Sequence, residues 1–200
     1  MTIGVAGLPP LAWVPQNGEG SFDEERGELV LVAVAGVDWT NDPLGGGRQH
    51  RASALSFEAP AEFTLSARVR VDPPRTTFDA GALAVWVDED HWAKVCFEWS
   101  PAGQAMVVSV VTNDSSDDCN SSVVVAADVW LRITRTGAAW AFHASPDGVL
   151  WHFVRLFRLA SRRPARVGFL AQAPLGDRCV VRFDQIRLAA KAPADLRDGS

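Results

Sequence analysis

The stretch FDAGALAVWVDEDHWAKVCFEW, Phe78 to Trp99, decides the fold. Two apolar runs flank the acidic hinge VDED, and neither run has a helical period. Successive side chains of a strand point to opposite faces, so residues two apart share one. In the second run Ala93, Val95, Phe97 and Trp99 form an apolar set, while Trp92, Lys94, Cys96 and Glu98 form the other. In the first run Leu83, Val85 and Val87 match the apolar set, with Ala82, Ala84 and Trp86 opposite. The pair reads as an antiparallel hairpin with one face on a core. Its second face carries a lysine and a glutamate, and the question is what that face meets.

The same reading extends along the chain. In EFTLSARVRVDPP, Phe63, Leu65, Ala67, Val69 and Val71 alternate with Thr64, Ser66, Arg68 and Arg70, until Pro73 and Pro74 end the ladder. Further strands are expected at Glu28 to Gly36, Ala82 to Val87, Trp92 to Trp99, Ala105 to Thr112 and Ser122 to Ala126. Others are expected at Trp130 to Arg135, Ala139 to Ser145, Trp151 to Leu159, Arg166 to Ala173 and Cys179 to Leu188. Turn-forming segments such as SPAG, RTGA, SPDG and APLGD separate them. No amphipathic helical pattern and no fixed repeat appear, so the fold class is all-β, a sandwich or barrel. Residues 1–190 read as a single domain and 191–200 as a flexible C-terminal tail. The residues up to about Gly20 read as a strand and turn on the sandwich edge.

The formal net charge of −5 argues against nucleic acid or an anionic membrane surface as partner. The opening residues lack a charged n-region, and no apolar run reaches the ~18 residues of a membrane helix. Cys96, Cys119 and Cys179 have no metal-type spacing, and their odd number suits free thiols in a cytoplasmic setting. No cofactor is implied, and the oligomeric state is not encoded in any visible pattern.

Several stretches together resemble a known family: VDWTND at Val37 to Asp42, the Phe78 to Trp99 hairpin, VVSVVTNDSSD, WLRITRTG, SPDGVLWHFVR and VGFLAQAPLG. The resemblance is to concanavalin A-like jelly-roll domains of unassigned activity, the family that includes the yeast "regulation of enolase" protein. It covers most of the chain between about Trp13 and Phe183. Its specific part is Trp92, Lys94 and Glu98 following Asp79-Ala80-Gly81; Ala80 and Cys96 depart from the family's frequent glutamine and glycine. The resemblance implies a jelly roll with a concave and a convex face, and no established catalytic residue.

The expected binding site is the polar side of the hairpin, taken as the concave face. Trp86 and Trp92 offer flat rings to a ligand, and Lys94 and Glu98 offer polar groups to orient it. Asp79, Arg132 and His143 are expected to join them. The plain alternative is a solvated sheet face whose charges pair with neighbours. Function is accordingly read as a non-catalytic, lectin-like domain taking a carbohydrate or similar polar ligand. A protein-interaction or regulatory domain is the second reading, and a glycoside-active enzyme the third.

Other motifs add little. The E-x-D-x-x-E string of jelly-roll glucanases is absent, as is a G-x-S-x-G elbow. TNDSSDDCN, Thr112 to Asn120, reads as a solvated acidic loop, with calcium the less favoured alternative and no metal ligand assigned. DPLGGGRQH, Asp42 to His50, reads as a flexible loop at the rim of the concave face.

Overall fold

The computed structural model describes residues 2–197 and Gly199. Among them lie seventeen strands and no helix. In chain order they are β1 (Thr2–Ile3), β2 (Leu11–Val14), β3 (Glu19–Asp23), β4 (Glu28–Val34), β5 (Trp39–Asn41), β6 (Arg48–His50), β7 (Ala54–Glu58) and β8 (Glu62–Val71). There follow β9 (Ala80–Asp88), β10 (His91–Trp99), β11 (Ala105–Asn113), β12 (Ser115–Val123), β13 (Asp128–Thr136), β14 (Ala139–Ser145), β15 (His152–Phe157), β16 (Arg166–Gln172) and β17 (Arg178–Ala189). Among the described residues no helix is long and apolar enough to cross a membrane.

Two large antiparallel sheets make a jelly-roll sandwich. One has eight strands in the order β1-β2-β7-β16-β9-β10-β11-β12, the other seven in the order β15-β14-β13-β8-β17-β4-β3. The short hairpin β5-β6 stands apart from both. The core lies between the sheets, and the alternation read from the sequence supplies it. Phe63, Leu65, Ala67 and Val69 of β8 are fully buried, and the residues between them are half-exposed. Gly81, opposite Phe97, fixes the direction of the hairpin: a Cβ there would meet Val181 and Val69 of the other sheet at 2.3 and 2.7 Å. Phe169 and Phe183 meet across the layers at 5.1 Å. Phe97 is buried as its register requires. Trp99, at the strand end, keeps half-exposure, with the Arg75 guanidinium 5.3 Å from its ring.

The outer face of the seven-stranded sheet carries a charge ladder. Arg68 makes two 2.7 Å bonds to Asp184, and Arg182 reaches both Glu28 and Asp72. Such fork-to-fork pairs fix the lateral register of β8, β17 and β4.

Two expectations change. TNDSSDDCN is a hairpin rather than a loop: the chain turns at Asp114, whose φ is 71°, and Ser115–Val123 pairs with β11. An edge strand is solvated on several sides, so it accepts polar residues where a central strand would not. Among the described residues no group of three His, Cys, Asp or Glu side chains is placed to hold a metal ion. DPLGGGRQH is likewise ordered, as the turn of the β5-β6 hairpin and its second strand, with Leu44 N–H bonded to Asp42 Oδ1.

Candidate functional site

The answer to the lysine lies in the β5-β6 hairpin. On the outer face of the eight-stranded sheet, period two places Trp92, Lys94, Cys96 and Glu98 of β10 beside Trp86, Ala84, Ala82 and Ala80 of β9. The hairpin lies over the Trp92 end of that row. Trp39 packs at 4.7 Å from Trp86 and 5.8 Å from Trp92, centroid to centroid, and His50 closes the cluster at 5.5 and 6.3 Å. Its polar edge is latched to the turns of the large sheet. Asn41 donates from Nδ2 to the Glu89 and Asp114 carbonyls and accepts from His50 at Oδ1. Its backbone N–H donates to Ser116 Oγ. Arg48 pairs with Asp90 and Asp114.

The expected exposure of the two tryptophans is therefore corrected. Trp92 is 0% exposed and Trp86 9%, because a segment of the same chain stacks on them. The flat rings meet Trp39 and His50.

Lys94 is 2% exposed and saturated. Its ammonium donates to Asp38 Oδ1 at 2.7 Å, the Trp39 carbonyl at 2.8 Å and Gln172 Oε1 at 2.7 Å. An ammonium has three N–H groups, so none is left for a ligand. Burial draws its pKa down, but Asp38, first among the neighbouring charges, more than offsets this and holds it above the ordinary 10.5. Lys94 ties the roof to the sheet.

Glu98, two residues past Cys96, lies at the other end of the row. It is 9% exposed, and burial pushes its carboxyl up from 4.5 to about 7; Lys94 opposes the rise, while Asp38 and Asp118 add to it. Gln172 connects the ends. It accepts from Lys94 and donates from Nε2 to the Phe78 carbonyl at 2.9 Å, with Glu98 Oε2 at 3.5 Å. Glu98 Oε1 makes no hydrogen bond among the described residues. Phe78 has a φ of 69°, a left-handed conformation uncommon for a bulky residue, and keeps 37% of its surface in solvent. Cys96, between the two charges, is fully buried, and burial raises its thiol well above 9. Cys119 and Cys179 are also free, the first exposed and the second buried.

A carboxyl with a native pKa near 7 has a signed consequence for stability. The folded chain holds the Glu98 proton more tightly than the unfolded one. The stabilisation is complete below about 4.5 and is lost as pH rises to about 7. At about 1.4 kcal/mol per pH unit the loss is roughly 3 kcal/mol. Urea unfolding at a series of pH values should show this fall, and Glu98→Gln should flatten it. A wild-type slope equal to that of Glu98→Gln would refute the assignment.

The other expected site residues are placed elsewhere. Asp79 is buried at the start of β9, where Oδ2 accepts the Thr76 N–H at 2.8 Å and burial raises its pKa. It shapes the turn before the strand. Arg132 and His143 are cross-strand partners on β13 and β14, in the seven-stranded sheet, facing away from the core on the opposite side of the molecule. Period two tells which side of a strand a residue takes, but not which sheet the strand joins. Asp38 and Gln172, which complete the cluster, were missed. Neither stands in a motif, and they lie 56 and 78 residues from Lys94.

Fold and site together define a two-sheet jelly roll with a roofed, partly titratable polar cluster on one outer face. The chain belongs to the family described as "Protein of unknown function (DUF1349)", which it matches over residues 13–191. A comparison with curated proteins finds no match. Among solved structures it is similar to that of a functionally unknown protein from Saccharomyces cerevisiae, with 27% identity, 92% of this chain and 97% of that chain covered, and a TM-score of 0.81. It is also similar to the GH43 protein BlXynB of Bacillus licheniformis, at 15% identity and a TM-score of 0.66, covering 86% of this chain and 34% of that one. An alginate lyase from Klebsiella pneumoniae gives 14% identity and a TM-score of 0.56 over 86% and 84% of the two chains. At 15% and 14% identity the likeness is one of fold, and the chain spans about a third of the GH43 protein.

Proposed function

We propose that the chain is a non-catalytic binding domain that takes a carbohydrate or similar polar ligand on the outer face of the eight-stranded sheet, at its Glu98 end. The observation that carries this reading is the placement of Glu98: a largely buried carboxyl, pushed up by burial to about 7, with one oxygen unused beside the Gln172 amide. A buried acid that no packing demand explains suits a ligand hydroxyl, to which it can donate or accept. Phe78, whose carbonyl is held by Gln172, supplies the solvent-facing ring that Trp86 and Trp92 do not. In this reading Trp86, Trp92 and Lys94 hold the face rigid, the buried Gln172 positions Glu98, and Glu98 and Phe78 meet the ligand. The setting is cytoplasmic, where three free thiols persist.

A glycan-array screen followed by calorimetry tests it. Glu98→Gln should weaken binding of the selected glycan by about 1–3 kcal/mol, the scale of a charge-assisted hydrogen bond, with the fold intact. An affinity unchanged in Glu98→Gln would sink the assignment.

One observation favours a second reading, a glycoside-active enzyme. Asp118 on β12 keeps its side chain in solvent, yet partial burial raises its carboxyl, and it adds to the rise at Glu98. Two coupled carboxyls on one face are the equipment of acid–base hydrolysis. Release of nitrophenol from aryl glycosides, abolished in Glu98→Gln, would favour it over simple binding. The third reading is a regulatory interaction domain, in keeping with the resemblance to the family of the yeast "regulation of enolase" protein. Its contact surface would be the apolar edge at Val123 and Val125.

A further inference from the structure

The opposite side of the molecule holds a second polar site. Along β13, Val129, Leu131 and Ile133 fill the core, so Trp130, Arg132 and Thr134 point outward from the seven-stranded sheet. Arg132 is 6% exposed there. Its guanidinium stacks on Trp151 at 4.3 Å, and Nη2 donates to the Gly199 carbonyl at 2.8 Å. No other hydrogen bond from it forms among the described residues, and Nε is sealed without a partner.

The contrast with its neighbours is informative. Arg68, Arg70 and Arg182 on the same face each have a carboxylate. Arg132 has none among the described residues, and burial, with no charge to offset it, lowers its pKa to about 10. A desolvated cation without a counter-charge is costly, and such groups are ordinarily paired.

Arg132 lines a cavity of about 330 Å³, walled by Trp130, Trp151 and Gly148 and rimmed by the exposed Arg187. Asp147 also lines it, but its Oδ1 already accepts from Ser145 Oγ and from the Val149 and Leu150 N–H groups. The cavity is larger than a bare anion needs and falls at the lower end of small-ligand sites. Trp130 and Trp151 give it two aromatic surfaces among otherwise mostly polar walls, which suits the C–H face and the hydroxyls of a sugar ring. The part of the Arg132 guanidinium not held by Gly199 brings N–H donors and a charge that no carboxylate among the described residues offsets, which suits a carboxylate better than a neutral hydroxyl.

We propose that this cavity binds a sugar acid, with the carboxylate on Arg132 and Arg187 and the ring between Trp130 and Trp151. The site is independent of the Glu98 face, and it stands or falls separately. Calorimetry on the full chain with glucuronate, glucose and glucose 6-phosphate tests it. Glucuronate should bind, and glucose should bind at least tenfold more weakly. Arg187→Gln at the solvent-facing rim should cost about tenfold in glucuronate affinity, the worth of one charge-assisted bond. Arg132→Gln should abolish binding. Should that variant fail to fold, the Arg132 Nε–H resonance of the unaltered protein carries the same test and should shift on titration with glucuronate. Glu98→Gln should leave glucuronate affinity unchanged. Any one of four results overturns the proposal: no glucuronate binding at millimolar concentration, glucose or glucose 6-phosphate binding as tightly, an unmoved Arg132 signal at saturation, or loss of binding in Glu98→Gln with Arg187→Gln unaffected.

Discussion

Trp92→Ala should destabilise the protein by about 3 kcal/mol, at the lower end of the ~3–5 kcal/mol typical of a buried tryptophan. The ring is fully enclosed, edge-on to Trp39, and 5.6 Å from the Lys94 ammonium. Its removal opens a cavity under the hairpin and loosens Trp39, which also rests on Trp86. One effect runs the other way. The Trp92 indole N–H is buried without a partner among the described residues, and deleting an unsatisfied donor offsets part of the loss. Urea unfolding measures the difference, and the melting temperature should fall by roughly 6–12 °C. A loss below about 1 kcal/mol would mean that the roof does not depend on the rings beneath it.

Asp38→Ala should cost as much or more, about 3–5 kcal/mol, because it leaves a buried ammonium without its counter-charge. The Trp39 carbonyl and Gln172 remain as acceptors but bring no net charge. The double variant Asp38→Ala/Lys94→Met should recover most of the loss, since an apolar side chain of similar volume suits the site better than a lone cation. The pH dependence has a definite sign. In the unaltered protein the pair holds the Lys94 pKa above 10.5, so its stabilisation is fully present at neutral pH and is lost only above that value. Without Asp38, burial is left to lower that pKa. The deficit of Asp38→Ala should then shrink as the buffer is raised toward pH 10. Equal stability of the single and double variants at pH 7 would contradict this account.

The residues that could be read and those that could not differ in a physical way. The alternation in β8 and β10 is local, set by a period of two and a single core, and Phe63 to Val71 and Ala93 to Phe97 follow it. The even placement of Trp92, Lys94 and Glu98 on one face was legible for the same reason. What lies on that face was not. It depends on residues 37–52 folding back over a sheet completed by β16, and no pattern within Trp92 to Glu98 distinguishes a roofed face from a solvated one. Arg132 and His143 show the same limit: their side of the strand was readable, but their sheet follows from the pairing of β13 with β8. The acidic run 112–120 misled for another reason. Composition marks polarity, and an edge strand can be as polar as a loop.

The latch of the β5-β6 hairpin bears on the order in which the molecule assembles. Asn41 reaches Glu89, Asp114 and Ser116, which follow it by 48, 73 and 75 residues. Those turns exist only once β9 to β12 have paired, so the hairpin has nothing to close upon until the large sheet is built. Contacts of such long separation are slow to form, because the loop entropy is lost before any of them is gained. The flap is thus expected to close after the large sheet has formed, and its amide protons at Trp39–Asn41 should exchange faster than those of β9 and β10; equal protection would contradict this.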